Sequence, residues 1–366
     1  MVTFDICITL LLLLVTLLPL SRHTAWWVRV WDFPRLQLLI ISALSGIVQF
    51  FLFTHAPWLA GAVLLICLSC CGYQCWWIFP YTRLLKKQVR DAEGYTAHPG
   101  IRILVSNVLT PNRQAGKLLK QVRIEAPDVL VAVETDTWWE QQLSVLDQDY
   151  PYSVRCPKDN LYGMHVWSRL PLRDAEIQYL VDQQIPSMHM LVTLPEGIEV
   201  RLHCVHPMPP SPTENDESQD RDAELVLVGK SVAQAMLPVI VTGDLNDVAW
   251  SRTTRLFLKI SGLLDPRRGR GMYCTFNARY PLLRWPLDHI FHSQEFILGS
   301  LRRLEDIGSD HYPFLAHLLY VPQEGQQQES LVKGAEDEQL ARDILQQNES
   351  LTLPVHTPGE NNGPFH

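Results

Sequence analysis

The chain reads as an α/β or α+β domain of two packed sheets, preceded by three long apolar helices. Two observations carry this reading. From residue 101 to residue 319, apolar β-branched runs of strand length recur between helical patterns, the mark of layered sheets and helices. The first 82 residues instead hold three apolar stretches, at about 4–20, 36–54 and 58–80.

The soluble part opens with IRILVS at 101–106, apolar enough for a strand buried on both faces. Thr110-Pro111 opens a helical pattern with Leu118, Leu119 and Val122 that ends before Pro127. A second buried strand, VLVAVE at 129–134, ends on an acid. Strand-like runs follow at 164–168, 188–194 and 199–205. After a Pro-rich acidic loop at 207–220, a helix is predicted over 221–236. The strand VIVT at 239–242 runs straight into Gly243-Asp244-Leu245-Asn246, and 252–260 is helical. Strand signals return at 288–292, 297–303 and 314–319. From 321 the composition turns to Gln, Glu, Asn and Pro, which predicts a disordered acidic tail to 366 with a short helix near 336–346.

A bilayer span needs about 20 mostly apolar residues. The second and third apolar stretches reach that length, and Val2 and Phe4 extend the first. A cleaved signal peptide is the rival reading of the first stretch. Asp5, the lack of Lys or Arg before it and the lack of a small-residue cleavage site argue against it. Trp26, Trp27 and Trp31 after the first span, and Trp76, Trp77 and Tyr81 closing the third, suit the headgroup level. Arg22, Arg29 and Arg35 in the first loop, and Arg83, Lys86, Lys87 and Arg90 after the third span, fall on one side. The positive-inside rule makes that side cytoplasmic. The expectation is a multi-pass membrane anchor over 1–90, with a cytoplasmic domain over 98–320.

Charge must be taken by region. Residues 1–90 carry seven Lys/Arg against two acids, residues 91–320 carry 22 against 29, and the tail carries two against eight. No global basic face announces a nucleic-acid binder. Five of the eight cysteines lie in the apolar stretches, and Cys156, Cys204 and Cys274 are scattered. That is no disulfide framework and no structural zinc site.

Polar residues gather where apolar strands end. Asn107, Glu134, His206, Asp244 with Asn246, Asp288 with His289, and Asp310 with His311 all hold such positions. Singly, each reads as a turn former, a helix cap or a satisfied buried histidine. Together, carboxylates, an amide and imidazoles on one rim suit a hard divalent cation and proton transfer. Their order and local contexts resemble the endonuclease/exonuclease/phosphatase superfamily, the deoxyribonuclease-I-like fold, over about 100–320. The motifs that carry the likeness are Val105-Ser106-Asn107, Val133-Glu134, GMHVWSRLPL from Gly163 to Leu172, His206, Gly243 to Asn246, Asp288-His289-Ile290 and Ser309 to Pro313. The run GDLNDVAWS and the preceding anchor look most like bacterial membrane-anchored members.

The resemblance implies a four-layer α/β/β/α sandwich, two mixed sheets flanked by helices. It implies Mg2+ or Mn2+ at Glu134, with Asn107 and Asp310 near it. His311 would be the general base, oriented by Asp288. Asp244 and Asn246 would hold the nucleophile and the scissile phosphate, and His206 would donate to a phosphate oxygen or the leaving group. An apurinic-type nuclease carries Tyr where His206 stands, so the His points towards the deoxyribonuclease, sphingomyelinase or phosphatase branches. His203 is the rival for His206, and His289 reads as structural. Between Arg252 and Arg284 stand eight Lys/Arg and one acid. Arg267, Arg268 and Arg270 in a Gly-containing loop there are candidates for substrate phosphate contact, with a solvated loop as the alternative.

The function expected is a membrane-anchored, metal-dependent phosphodiesterase acting on a lipid headgroup or another membrane-proximal phosphoester. A nuclease acting on DNA or RNA is the alternative, and an inactive binding module is a third reading. No protein partner is predictable.

Overall fold

Strand β1 (Gly100–Asn107) illustrates how the domain is built. Its alternate side chains point to opposite faces. Ile101, Ile103 and Val105 enter the core between two sheets, while Leu104 faces an outer helical layer. Both faces are covered, which is why the segment is apolar throughout. A computed structural model describes residues 2–52, 57–95, 97–348 and 354–360.

The N-terminal part is helical: α1 (Val2–Leu17), the short α2 (Trp26–Arg29), α3 (Arg35–Leu52) and α4 (Pro57–Ile78). After β1 come α5 (Ala115–Glu125), β2 (Val129–Val133), α6 (Thr137–Leu143), β3 (Tyr152–Cys156), β4 (Met164–Ser168) and β5 (Leu172–Gln178). There follow β6 (Ser187–Thr193), β7 (Glu199–Cys204), α7 (Gln219–Ala233), β8 (Val239–Asp244) and α8 (Arg252–Ser261). The remainder is β9 (Asp288–His292), β10 (Phe296–Arg303), β11 (Phe314–Tyr320), α9 (Pro322–Gly325) and α10 (Ala335–Gln347).

One sheet has the order β10-β11-β1-β2-β4-β3, the other β5-β6-β7-β8-β9. Strands β1 and β2 pair in parallel, as do β7 and β8, so both sheets are mixed. Val131, Val133, Met190, Leu202, Ile240 and Ile290 are among the residues packed between them. Leu118, Val122 and Trp139 from α5 and α6 cover the first sheet, and Leu225, Val228 and Phe257 from α7 and α8 cover the second. Each buried Val, Leu or Phe contributes about 1.5–3 kcal/mol relative to exposure. The two packed sheets flanked by helices are present as expected.

Several elements differ from expectation. Strands β3 and β5 were not evident because each is the edge of its sheet. Their residues are largely exposed or half-buried, so no apolar run marks them. Helix α5 starts at Ala115 instead of Thr110, since Thr110 Oγ1 donates to the Glu134 carbonyl (2.7 Å) and Asn112 makes a turn back to Leu109 (2.7 Å). The tail expected to be disordered is packed over its described residues. Leu340, Ala341 and Ile344 of α10 sit against Val226, Leu256 and Ile260. Farther on, Glu360 pairs with the buried Arg201 (2.5 Å), and His356 lies between Asp174 and Glu176 (3.2 and 3.1 Å). A polar composition hid an amphipathic helix whose partner face belongs to another part of the chain.

The expectation of three spans is corrected in its count. Among the described residues, Trp58–Tyr81 is the one helix long and apolar enough to cross a membrane. Trp26–Asp32 and Arg35–Phe51 pass the same test only as a pair bent by 73°. The first apolar helix is shorter than a span, and the expected end of the second, at 53–54, lies outside the described residues. The helices are nevertheless inside-out. Leu10, Leu11, Leu14, Ile40, Leu44, Ile47, Leu65 and Leu68 are exposed, whereas Asp5, Thr9, Thr16, Ser45, Gln49 and Gln74 are buried. The polar groups bond one another: Ser45 Oγ donates to Asp5 Oδ1 (3.2 Å), Gln74 Nε2 to Thr16 Oγ1 (3.2 Å) and Arg35 Nη1 to Gln74 Oε1 (3.1 Å).

The N-terminal helices are not loosely tethered to the rest of the chain. Trp26 N donates to Asp216 O (2.8 Å), Trp250 Nε1 to Asp32 O (2.9 Å) and Tyr81 Oη to Ala249 O (2.5 Å). Arg29 reaches Thr253 Oγ1 (3.2 Å).

Candidate active site

The expected polar residues converge on one rim because the strands that carry them end there. Asp244 closes β8 and Asp288 opens the antiparallel β9, where the two are register partners. Asn107 closes β1 in the other sheet. Its Nδ2 donates to Glu134 Oε1 (2.6 Å) and Asp244 Oδ2 (3.0 Å), and its Oδ1 accepts from Leu109 N (3.0 Å). One amide thus ties three strand ends across the sandwich. Ser309 Oγ donates to the Asn107 carbonyl (2.8 Å), which brings Asp310 and His311 to the same place.

The backbone here is unusual. Glu134 and Asn246 have φ of 62° and 51°, conformations that non-glycine residues hold only when their surroundings require it. The Asn246 amide N donates to Asp244 Oδ1 (2.9 Å), and Asn246 Nδ2 donates to Pro207 O (3.0 Å) beside His206. Gly243 has φ 142°, and a Cβ there would lie 1.9 Å from the Val205 carbonyl oxygen, so only glycine fits. Gly163 is equally constrained, since its Cβ would fall 1.7 Å from the Thr135 carbonyl oxygen just after Glu134.

His311 Nδ1 lies 2.8 Å from Asp288 Oδ2, and its Nε2 lies 3.4 Å from Asp244 Oδ2. Burial acts to lower the His311 pKa, but the carboxylates of Asp288 and Asp244 outweigh it and push it up to about 10. His206 Nε2 is 4.0 Å from the same Asp244 oxygen. Burial dominates there and lowers its pKa to about 4, so His206 is neutral. Burial, reinforced by Asp244 and Asp310 against the opposing pull of Asn107 and His311, pushes the Glu134 carboxyl up to about 7. The Asp244 carboxyl is also raised, by burial first.

These acids fit a divalent cation. Asp244, Asp288 and His311 offer ligand atoms that lie within 4.8 Å of one another. Glu134 Oε2 and Asp288 Oδ1 are buried without a hydrogen-bond partner in the protein. Orphaned buried carboxylate oxygens are costly unless a cation or water takes them. The Glu134–Asn107–Asp310 set implied by the resemblance is joined to this triplet by the Asn107 amide. Asp310 lies close enough to act on the charges of Glu134 and His311.

The Arg267–Arg270 loop does something else. Arg267 is buried and spends its guanidinium on both oxygens of Asp265 (2.9 Å each), the Asp288 carbonyl (3.3 Å) and His289 Nδ1 (2.6 Å). Arg270 is buried too, and donates to Val89 O and Asp91 Oδ1 (both 2.6 Å) and to Pro266 O (3.2 Å). Arg268 stacks over Tyr81, 5.8 Å from the ring centroid. The expected phosphate contact is therefore corrected for Arg267 and Arg270: Arg267 braces β9 from behind, and Arg270 clasps the segment that follows α4. His203 turns away from the rim, with its Nδ1 2.8 Å from His189 Nδ1, and His289 Nε2 meets the Asp247 carbonyl (2.9 Å).

Four contributors were not anticipated. Tyr162 packs its ring 5.3 Å from His206 and donates its hydroxyl to Glu214. Phe276 lies 4.8 Å from the His311 ring. Arg221 Nη1 donates to the Asn246 carbonyl (3.0 Å). Asp247, two hydrogen bonds from α8, lies 3.6 Å from the same Arg221 nitrogen. Only Asp247 carried a signal, its place beside Gly243 to Asn246.

The sequence profile of the Endonuclease/Exonuclease/phosphatase family matches residues 104–311, more than half of the chain. The chain belongs to that family. Family membership agrees with the two-sheet sandwich, and hydrolysis of phosphoester bonds is the family's general chemistry. No curated protein matches the chain. Among solved structures, a humanized D. rerio TDP2 with 14 mutations is 19% identical, with TM-score 0.51, covering 60% of this chain and 98% of that one. The endonuclease/exonuclease/phosphatase from Beutenbergia cavernae DSM 12333 is 17% identical, with TM-score 0.50 and coverage of 61% and 72%. D. rerio TDP2 complexed with a single-strand DNA product is 20% identical, with TM-score 0.50 and coverage of 60% and 98%. At these identities the likeness establishes the fold alone.

Proposed function

We propose that this family member is a membrane-anchored phosphodiesterase that depends on a divalent cation and uses His311 as general base. The observation that carries it is the Asn107-bridged rim, where Glu134, Asp244, Asp288 and His311 meet with carboxylate oxygens left unpartnered. Asp288 would fix the orientation of the His311 ring through Nδ1, which turns Nε2 towards Asp244 and the water it would deprotonate. Asp244 and Asn246 would hold that water and the phosphate. His206, neutral and buried, would donate to a phosphoryl oxygen. Mg2+ or Mn2+ held by Glu134, with Asn107 and Asp310 near it, would offset charge on the phosphoryl oxygens and draw the His311 pKa down towards that of a base.

The inside-out helices support membrane anchorage, since exposed apolar surface and buried polar groups suit lipid. The basic 21–35 and 83–90 segments contact the catalytic domain, which supports a bacterial inner-membrane anchor with that domain in the cytoplasm. Tethering favours a lipid headgroup or another membrane-proximal phosphoester as substrate. A nuclease is the second reading, favoured by the DNA product held by one structural neighbour. Against it, the domain is acidic, and the buried Arg267 and Arg270 are unavailable to a nucleic-acid backbone.

The test is hydrolysis by the full chain in detergent, with and without Mg2+, of phospholipids, single- and double-stranded DNA, and bis-nitrophenyl phosphate. Metal-stimulated release from a phospholipid above that from DNA supports the first reading. DNA cleavage that falls steeply with salt selects the second. No metal-dependent hydrolysis of any substrate sinks both.

A further inference from the structure

Where the anchor meets the catalytic domain, a cavity of about 590 Å3 opens between α4, α8 and α10. Its walls combine the last residues of the apolar helices with charged residues of the domain. Five cations line it, and two are already satisfied. Arg35 pairs with Asp32 and Gln74, and Lys259 holds both oxygens of Asp337 (2.9 and 2.8 Å). Arg22, Arg252 and Arg255 have no carboxylate within ion-pair distance among the described residues.

Two of the three are not ordinary solvated arginines, while Arg22 is exposed at the cavity mouth. Arg252 and Arg255 are half-buried on α8. Arg22 and Arg252 also border an adjoining cavity of about 160 Å3. Arg255 lies over the Trp77 ring (5.5 Å), and Arg35 lies over Tyr73 and Trp77 (5.4 and 4.7 Å), so aromatic faces hold the forks in place. The acids lining the cavity act on Arg252 and Arg255 only from beyond ion-pair distance. Asp32 and Asp337 are paired, Asp343 accepts from Gln339 Nε2 (2.6 Å), and Glu336 is exposed on the first turn of α10. Burial, with the like charges of Arg22 and Arg29, lowers the Arg252 pKa, and burial with Arg268 lowers that of Arg255. Half-buried guanidinium groups with like charges beside them and no ion-pair partner leave a demand for an anion.

We propose that this cavity binds a phosphate-bearing anion on Arg22, Arg252 and Arg255, with Tyr73 and Trp77 as its apolar wall. Guanidinium forks match phosphate oxygens in geometry. Basic pockets beside the ends of membrane helices suit anionic lipid headgroups, and indole and phenol rings prefer that depth. The anion would join anchor, catalytic domain and tail helix in one contact, away from the Asn107 rim. The proposal rests on the membrane-anchoring reading only if the source is a lipid.

The experiment is thermal unfolding of the full chain in a neutral detergent with chelator present, so that the catalytic metal plays no part. The probes are dihexanoyl phosphatidylglycerol, dihexanoyl phosphatidylcholine and inorganic phosphate. The expected result is a rise in Tm of about 2–4 °C with phosphatidylglycerol, lost in R252Q/R255Q. A rise with phosphatidylglycerol alone identifies a lipid headgroup, and an equal rise with inorganic phosphate identifies a free anion. Should the double variant fail to unfold cooperatively, R252Q alone takes its place, because that guanidinium makes no hydrogen bond among the described residues. No rise with phosphatidylglycerol or phosphate, or a rise unchanged in the variant, overturns the proposal. Failure of membrane anchorage is read separately, from the chain leaving the membrane fraction after cell lysis.

Discussion

The Asn107 rim and the Arg267–Arg270 loop are both dense in charge and lie on either side of β9, yet they are built on opposite plans. In the loop nearly every donor is spent. Asp265 takes two bonds from Arg267, backbone carbonyls take others, and Asp91 takes Arg270. On the rim, Glu134 Oε2, Asp288 Oδ1 and His206 Nδ1 are buried with no partner, and two residues hold positive φ. Charge that is internally satisfied holds a fold together. Charge left unsatisfied at a strained backbone is where chemistry can happen.

That contrast can be broken most forcefully at His311. His311→Ala is expected to lower kcat on bis-nitrophenyl phosphate by roughly 10²–10⁴-fold while the chain still folds. Turnover near the wild-type rate would remove the general-base assignment. The complementary substitution, Arg267→Ala, should spare the chemistry and damage the fold. It leaves Asp265 buried without its cation, a loss of about 3–5 kcal/mol by chemical denaturation. A raised KM with unchanged stability would return the loop to a role in phosphate binding.

A pH-dependent effect comes from histidines that are buried and kept neutral away from the rim. Burial holds the pKa of His165 and His203 at about 3 and that of His292 at about 4, below the ordinary value of about 6.5. The folded pKa values are depressed, so the unfolded chain binds protons that the folded chain refuses. Their contribution is complete above about pH 6.5 and declines as pH falls towards 4 and 3. Each histidine adds a slope of up to about 1.4 kcal/mol per pH unit. Urea midpoints that do not fall between pH 6.5 and 4.5 would show these sites to be open to solvent. The smallest effect belongs to Arg268→Ala, which loses a half-exposed stacking contact on Tyr81. Stability should change by about 0.5 kcal/mol or less, and a large loss of substrate affinity would mean that Arg268 alone of the loop reaches the rim.

How much was legible depended on whether the signal was local. Buried strands such as 101–106 and 129–133 announce themselves, because two covered faces demand an unbroken apolar run. Edge strands β3 and β5 do not, since half their surface meets water. The acidic tail read as disorder because α10 packs on Val226, Leu256 and Ile260, more than seventy residues away along the chain. Arg270 read as exposed because its partners, Asp91 and the Val89 carbonyl, stand about 180 positions earlier.

By itself the sequence determined which residues could act, because Asn107, Glu134, His206, Asp244, Asp288 and His311 each follow or open a strand whose composition marks it. The tertiary structure decided which of them meet, and with what charge. Asn107 can reach Glu134 and Asp244 together only because the two sheets pack face to face. The low pKa of His206 and the high one of His311 arise from burial and neighbouring carboxylates contributed by separate strands. The same packing decided that Arg267 and Arg270 are braces and that Arg22, Arg252 and Arg255 face a cavity without a counter-ion, for pairing is a matter of distance in space, which composition does not encode.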